Sequence, residues 1–176
     1  MRSKYFIVFV LLASSLLVFL PAQASSKDLN GTMGLGFNTQ FTNQDNMDGV
    51  SVKAWPRNMP VGIQGVCGWQ LGDHNDEVTF AGKAIYPIKQ EENMQVYISG
   101  GVGVSYMDLD GKDDELALSL IPAAGVEYFF QGLPNLGFSS ELSGRIFFSD
   151  QGDEFKSTAN SGTSVKVGIH YYFPWF

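Results

Sequence analysis

The sequence predicts an all-β protein, an eight-stranded antiparallel transmembrane up-and-down β-barrel. Three observations predict it: eight segments alternate apolar with small or polar residues, long and short connections alternate between them, and the last segment is rich in aromatic residues. In that last segment every odd position from 165 to 173 is apolar or aromatic. The even positions are Lys166, Gly168, His170 and Tyr172, so the segment has one apolar and one more polar face.

The first residues of the chain predict export. Met1–Lys4 is short and basic, the next sixteen residues are almost entirely apolar, and Ala22 and Ala24 fit a small-residue cleavage site. We therefore expect residues 1–24 to be a secretory signal peptide and residues 25–176 to be one barrel domain. An N-terminal anchor is disfavoured because the apolar run is short for a membrane span of about 20 residues. No later apolar run is long enough for a membrane helix.

The eight alternating segments are expected to be the strands. The sixth shows the pattern best, because Leu116 and Leu118 face one way while Ala117 and Ser119 face the other. Pro122 lies in the same segment and cannot donate a hydrogen bond to a neighbouring strand, so we expect a bulge or local break there. The predicted strands are Gly31–Phe41, Gly49–Trp55, Val61–Leu71, Glu77–Tyr86, Met94–Tyr106, Leu116–Phe130, Leu136–Phe148 and Thr163–Phe173.

The direction of the apolar face distinguishes two architectures. A soluble barrel or sandwich would turn this face inward, whereas a membrane barrel turns it toward lipid. The polar face carries mainly Gly, Ser, Gln and Asn, which suits a narrow interior. Aromatic residues near both ends of the apolar face match two membrane interfaces, so we expect the membrane form. These residues are Phe41, Trp69, Tyr106 and Phe148 toward the long connections, and Tyr86, Tyr128, Phe130, Tyr171 and Phe173 toward the short turns.

The signal-peptide pattern, the eight segments and the ending Val167–Phe173 together resemble the small outer-membrane barrels of the OmpA, OmpX and OmpW kind. The resemblance implies an outer-membrane, porin-like protein of a Gram-negative-type envelope. Its members serve membrane integrity, adhesion and defence, or the passage of small molecules. The family's terminal aromatic signal normally ends the chain, whereas Pro174, Trp175 and Phe176 follow Phe173 here. We expect either a bulge at Pro174 or a periplasmic tail.

An outward apolar face places the polar face inside the barrel. Eight strands leave room for side chains or one small ligand, and a buried unpaired charge is costly. We therefore expect charged side chains to plug the lumen, with Glu127, Glu141, Arg145 and Lys166 at the centre of the network. The alternative is a gate whose ion pairs exchange partners. The predicted lumen charge network is Lys53, Lys83, Glu127, Glu141, Arg145, Lys166 and His170.

The long connections hold most of the 18 acidic residues, and the net charge is −7. We expect acidic surface loops that bind divalent cations bridging to lipopolysaccharide, or that bind a basic partner; a solvated face is the alternative. Outer-membrane lipids are the other expected partners, and nucleic acid is disfavoured by the charge. The predicted loop residues are Asp73, Asp76, Asp108, Asp110, Asp113, Asp114, Asp150 and Asp153.

No pattern of residues predicts catalysis, a cofactor or a metal centre. His74 and His170 lack a following His-x-Ser pattern, and no serine lies in a Gly-x-Ser-x-Gly setting. Residues 107–115 begin like a calcium loop but lack its spacing. We expect a structural or surface-interaction role (membrane integrity, adhesion or defence) with a plugged lumen. The alternatives are a narrow conduit for small or apolar solutes and a lipid-modifying enzyme.

Overall fold

The computed structural model of the protein describes residues 27–41, 46–70, 75–109, 115–149 and 162–175. These residues form nine strands of one antiparallel sheet. No helix in the described ranges is long and apolar enough to cross a membrane. The strands are β1 (Thr32–Phe41), β2 (Asn46–Trp55), β3 (Gly62–Gln70), β4 (Asn75–Gln90), β5 (Met94–Leu109), β6 (Glu115–Leu120), β7 (Ala123–Phe130), β8 (Leu133–Ser149) and β9 (Gly162–Pro174).

The sheet closes on itself. β1 pairs with β9 from Thr32 opposite Pro174 to Phe41 opposite Val165. Both β6 and β7 pair with β5 on one side and β8 on the other, so they are two halves of one arm. The ring therefore has eight arms, each matching a predicted segment. The expected eight-stranded antiparallel barrel is confirmed.

The break in the sixth arm lies at Pro122. Leu120 is opposite Val102 and Ala123 is opposite Ser99, so the register is the same on both sides of the break. The Pro122 carbonyl still accepts a hydrogen bond from the Gly144 amide at 2.9 Å. The ladder therefore lacks the bond that proline cannot donate, and the arm is interrupted without a bulge.

The apolar face of the ring points outward, toward lipid. Leu116 is 63% exposed and Leu118 is 55% exposed, whereas Ala117 and Ser119 between and after them are buried. A water-soluble protein rarely exposes a contiguous apolar surface of this extent. The expected exterior aromatics follow the same parity, and Tyr86, Tyr106, Phe130 and Tyr171 are all exposed. The side-chain pattern is that of a transmembrane barrel.

The two ends of the barrel differ in their connections. Residues 42–45, 71–74, 110–114 and 150–161 join strands at one end, the loop end. Residues 56–61, 91–93 and 131–132 join strands at the other, the turn end. A buried cluster fills the lumen at the turn end; we call it the turn-side cluster. Its members are Leu29, Trp55, Ile85, Tyr97, Phe129 and Tyr172.

The residues before β1 cover the turn-side cluster. Lys27 donates a hydrogen bond to the Pro134 carbonyl at 2.5 Å, and its ammonium lies 5.1 Å from the centre of the Phe129 ring. Partial burial lowers the pKa of Lys27 from its usual value. The ring of Phe129 in turn packs 5.5 Å from the ring of Tyr172. The turn end is thus closed by aromatic side chains and a crossing segment.

The last strand continues beyond Phe173. Pro174 is paired with Thr32, and the Trp175 amide donates to the Gly31 carbonyl at 2.6 Å. Amides alternate sides along a strand, so the position of Pro174 faces β8, whose pairing with β9 ends at Tyr171. Both alternatives expected for this ending, a bulge and a tail, are wrong for residues 174 and 175. Phe176 and the predicted signal peptide lie outside the described residues.

Candidate functional site: the barrel lumen

Ion pairs cross the lumen between arms that are not neighbours. Nearest the turn end, the ammonium of Lys53 on β2 lies 2.9 Å from the Glu127 carboxylate on β7. The Tyr172 hydroxyl donates to the same carboxylate oxygen at 2.9 Å. Lys53 and Glu127 are both buried. Such a pair is stable only because each charge has a partner, since isolated burial would cost several kcal/mol.

A second ion pair lies further along the lumen. The Lys83 ammonium on β4 lies 2.6 Å and 2.7 Å from the two oxygens of Glu141 on β8. The hydroxyls of Tyr97 and Ser99 lie 3.4 Å and 3.5 Å from one of these oxygens. Lys83 therefore contacts both oxygens of the carboxylate, and donors from β5 complete its surroundings.

The third ion pair lies nearest the loop end. Arg145 on β8 donates to Glu77 on β4 at 3.2 Å. Glu77 also accepts a hydrogen bond from the Thr79 hydroxyl at 2.7 Å. Glu77 lies at an inward position of β4 and reaches across the lumen to Arg145.

The ring of His170 lies between a serine and a carboxylate. Its Nε2 is 2.5 Å from the Ser51 hydroxyl, and its Nδ1 is 3.9 Å from Glu127. This order of groups is that of a hydrolase triad, although the sequence showed no serine near either histidine. All three residues are 2% exposed or less, and Glu127 already binds Lys53 and Tyr172. The serine oxygen thus points into packed protein, and we assign the group a structural role.

Lys166 lies beside Glu141 on the neighbouring strand. None of the described carboxylates forms an ion pair with its ammonium. Lys166 instead lines a small cavity together with Lys83 and Arg145. The seven residues of the predicted lumen charge network all lie inside the barrel. Four of them form the pairs Lys53–Glu127 and Lys83–Glu141, whereas Arg145 pairs with Glu77 from outside the predicted set.

Small residues make space for these large buried side chains. A Cβ atom at Gly125 would lie 2.6 Å from the Tyr97 ring, and one at Gly36 would overlap the ring of His170. Both glycines lie on strands adjacent to the bulky residue. The glycines of the polar face therefore allow rings to lie flat across the inner wall.

Only part of the predicted acidic surface lies in the described residues. Asp76 is exposed on β4, and the backbone of Asp108 belongs to β5. Asp48 lies near the same end and accepts a hydrogen bond from the Thr39 hydroxyl at 2.8 Å. The remaining predicted loop acids lie outside the described residues: Asp73, Asp110, Asp113, Asp114, Asp150 and Asp153.

Several residues that shape the lumen were not singled out from the sequence. Ser51, Glu77 and Tyr97 occupy inward positions on strands whose other inward residues were recognised. Strict alternation within β2, β4 and β5 was the signal that could have identified them. Their partners could not be inferred in that way, because alternation shows whether a residue points into the barrel but not where it lies along the barrel axis.

Comparisons with known proteins agree with this architecture. No protein-family model matches the chain, and no curated protein does. The N-terminal β-barrel domain of Pseudomonas aeruginosa OprF superposes with a TM-score of 0.65 at 14% identity, covering 82% of this chain and 98% of that one. Neisserial surface protein A gives 0.55 at 12% identity, covering 81% and 95%. A designed transmembrane β-barrel gives 0.53 at 14% identity, covering 83% and 98%.

These identities show a shared fold and no more. The closed ring and the outward apolar face agree with that likeness. The chain is a small eight-stranded transmembrane β-barrel with the fold of the OprF N-terminal domain and of Neisserial surface protein A.

Proposed function

We propose that the protein is an outer-membrane barrel whose lumen is closed by its own side chains. It acts through its membrane-embedded wall and its loop end, in a structural or surface-interaction role, and not by conducting solutes. The observation that carries this proposal is the set of three ion pairs that cross the described lumen at successive heights. Its placement in the outer membrane is supported by the fold shared with OprF and Neisserial surface protein A.

Opening the lumen would require the ion pairs to separate. Lys83 and Glu141 are buried, and each would leave its main partner in a poorly solvated interior. A buried charge that loses its partner costs about 3–5 kcal/mol. The turn-side cluster would also have to move aside, because Tyr97, Phe129 and Tyr172 lie across the same end. A static, closed lumen therefore has the lower free energy.

The surface role depends on the loop end. The four connections at this end hold eight of the 18 acidic residues, so we expect their carboxylates to share one side of the membrane. Clustered carboxylates favour divalent cations, which also bind the phosphates of lipopolysaccharide. We propose that this rim anchors the barrel among lipopolysaccharide molecules through bridging cations, or holds a basic partner.

The closed lumen can be tested by planar-bilayer recording of refolded protein. We expect a barrel that shifts on a gel only after boiling, as closed barrels do, and that shows no steady conductance. Replacing the central pair by K83S and E141S removes both charges and leaves space for water, so brief openings should appear. The exposed Lys89 supplies a control, K89S, which should stay closed. A steady conductance in the unmutated protein would reject the closed lumen and favour a conduit.

A further inference from the structure

A small cavity lies inside the barrel toward the loop end. It is lined by Lys83, Arg145 and Lys166, together with the amides of Asn38 and Gln40. No carboxylate is among the described residues that line it. Its volume is about 10 Å³, which is the space of about one water molecule. The cavity therefore combines a strongly positive wall with room for a single small occupant.

The charges of the described lumen do not balance. Glu141 offers both of its oxygens to Lys83, so it forms no direct ion pair with Lys166 on the neighbouring strand. Removing a charge from water without a partner costs several kcal/mol, so an excess cation inside the lumen favours a counter-ion. The lumen cations are Lys53, Lys83, Arg145 and Lys166, against the three carboxylates Glu77, Glu127 and Glu141.

A second observation points to an occupant in the same place. The side-chain nitrogen of Asn38 is buried and has no hydrogen-bond partner, and the residue is 4% exposed. Buried amide donors are almost always satisfied by protein, water or a ligand. Asn38 lines the cavity, so its free donor and the ammonium of Lys166 belong to one space.

We propose that this cavity binds one chloride ion, which neutralises Lys166 and accepts a hydrogen bond from Asn38. Size selects a monatomic anion, because a phosphate or a carboxylate has several heavy atoms and the cavity holds about one. The long side chains that line the cavity end in flexible groups, so they can adjust to an ion slightly larger than water. The site is a property of the lumen and does not depend on the role of the loops.

Chloride binding should stabilise the whole folded protein. Refolded, full-length barrel in detergent micelles is unfolded with urea in sodium chloride and in sodium gluconate at equal ionic strength. A ligand that binds only the folded state lowers the unfolding equilibrium constant about tenfold when its concentration is about ten times Kd. The effect of chloride should saturate with concentration, and bromide should replace chloride. Crystals grown in bromide should show one anomalous peak between Lys166 and Asn38.

Two variants and a control make the test specific. K166M removes the excess charge and should abolish the difference between chloride and gluconate. N38D places a carboxylate of the same shape at the free donor and should also make stability independent of chloride. K89M removes an exposed lysine at the turn end and should retain the full chloride effect. If K166M fails to fold, N38D and the bromide peak still decide the question.

Some results would overturn the proposal. Equal unfolding curves in chloride and gluconate, with no bromide peak in the cavity, would assign the space to water. A bromide peak elsewhere in the barrel, or a chloride effect that survives both K166M and N38D, would place the ion at another site.

Discussion

Both halves of the lumen contain an ion pair between strands, but the two pairs differ in their exposure to solvent. At the turn end the Lys53–Glu127 pair lies beside aromatic rings, and both side chains are 2% exposed or less. At the loop end the Arg145–Glu77 pair retains 11% and 16% exposure and lies near a small cavity. The same interaction is therefore part of a packed core in one half and partly screened by solvent in the other. We therefore expect substitutions at the turn end to reduce the stability most, and the loop-end ion pair to be the more sensitive to salt.

The largest effect should come from breaking the turn-side ion pair. E127A leaves the Lys53 ammonium buried without a carboxylate and removes the acceptor of the Tyr172 hydroxyl. We expect the free energy of unfolding to fall by about 3–5 kcal/mol, measured by urea titration in lipid vesicles. The double variant K53M/E127L removes both charges and should recover a large part of this loss. A loss below about 1 kcal/mol for E127A would show that water reaches this end.

A smaller loss is expected when only the hydroxyl next to this pair is removed. Y172F keeps the ring that packs against Phe129 but deletes the donor to Glu127. The carboxylate keeps Lys53, so the expected loss is about 1–2 kcal/mol in the same urea titration. Y171F is a matched control, because Tyr171 is exposed on the outer face. Equal losses in the two variants would assign the effect to the membrane interface.

Breaking the loop-end pair should cost less than breaking the turn-side pair. R145Q leaves Glu77 with Thr79 as a partner and with partial access to solvent. We expect a loss near 1 kcal/mol, because partly exposed ion pairs are screened by water and salt. The loss should shrink further when the urea titration is repeated at high salt. A cost as large as that of E127A would remove the contrast between the two halves.

Neutralising the acidic loops should change the stability least. D108N, D110N, D113N and D114N together should alter the free energy of unfolding by less than about 0.5 kcal/mol per site, because Asp110, Asp113 and Asp114 lie in a connection and Asp108 lies at the end of β5, where change is tolerated. Attachment to calcium-bridged lipopolysaccharide layers should weaken, as measured by surface plasmon resonance. Monovalent salt should weaken the attachment of the unmutated protein in the same assay, since charge screening acts over about 10 Å at 0.1 M. If neither the substitutions nor the added salt weakens attachment, the acidic rim is only a solvated surface.

Alternation and turn chemistry were sufficient to predict the wall of the barrel. Leu116 and Leu118 point outward as expected. Pro122 interrupts the hydrogen-bond ladder of the sixth arm because it has no amide hydrogen to donate. These features depend on neighbouring residues and on a period of two, which any one strand displays.

The pairing across the lumen could not be predicted in the same way. Whether Glu141 meets Lys83 or Arg145 depends on the stagger accumulated around eight arms, which no single segment records. The inward rings of Tyr97 and Phe129 were missed for a related reason. An aromatic residue at an inward position can be recognised as a plug only when the opposite wall is known to be close.

The seam between the first and last arms has a consequence for the pathway of folding. It joins residues between 124 positions apart (Phe41 and Val165) and 142 positions apart (Thr32 and Pro174), the most distant pairing in the ring. Contacts of such separation form late in folding, so a barrel that has not yet closed would expose β1 and β9 as two unpaired edges with apolar outer faces. The extra bond from Trp175 to Gly31 lengthens this last-formed seam. This bond should slow the reopening of the finished barrel, so the protein should be kinetically stable as well as stable at equilibrium.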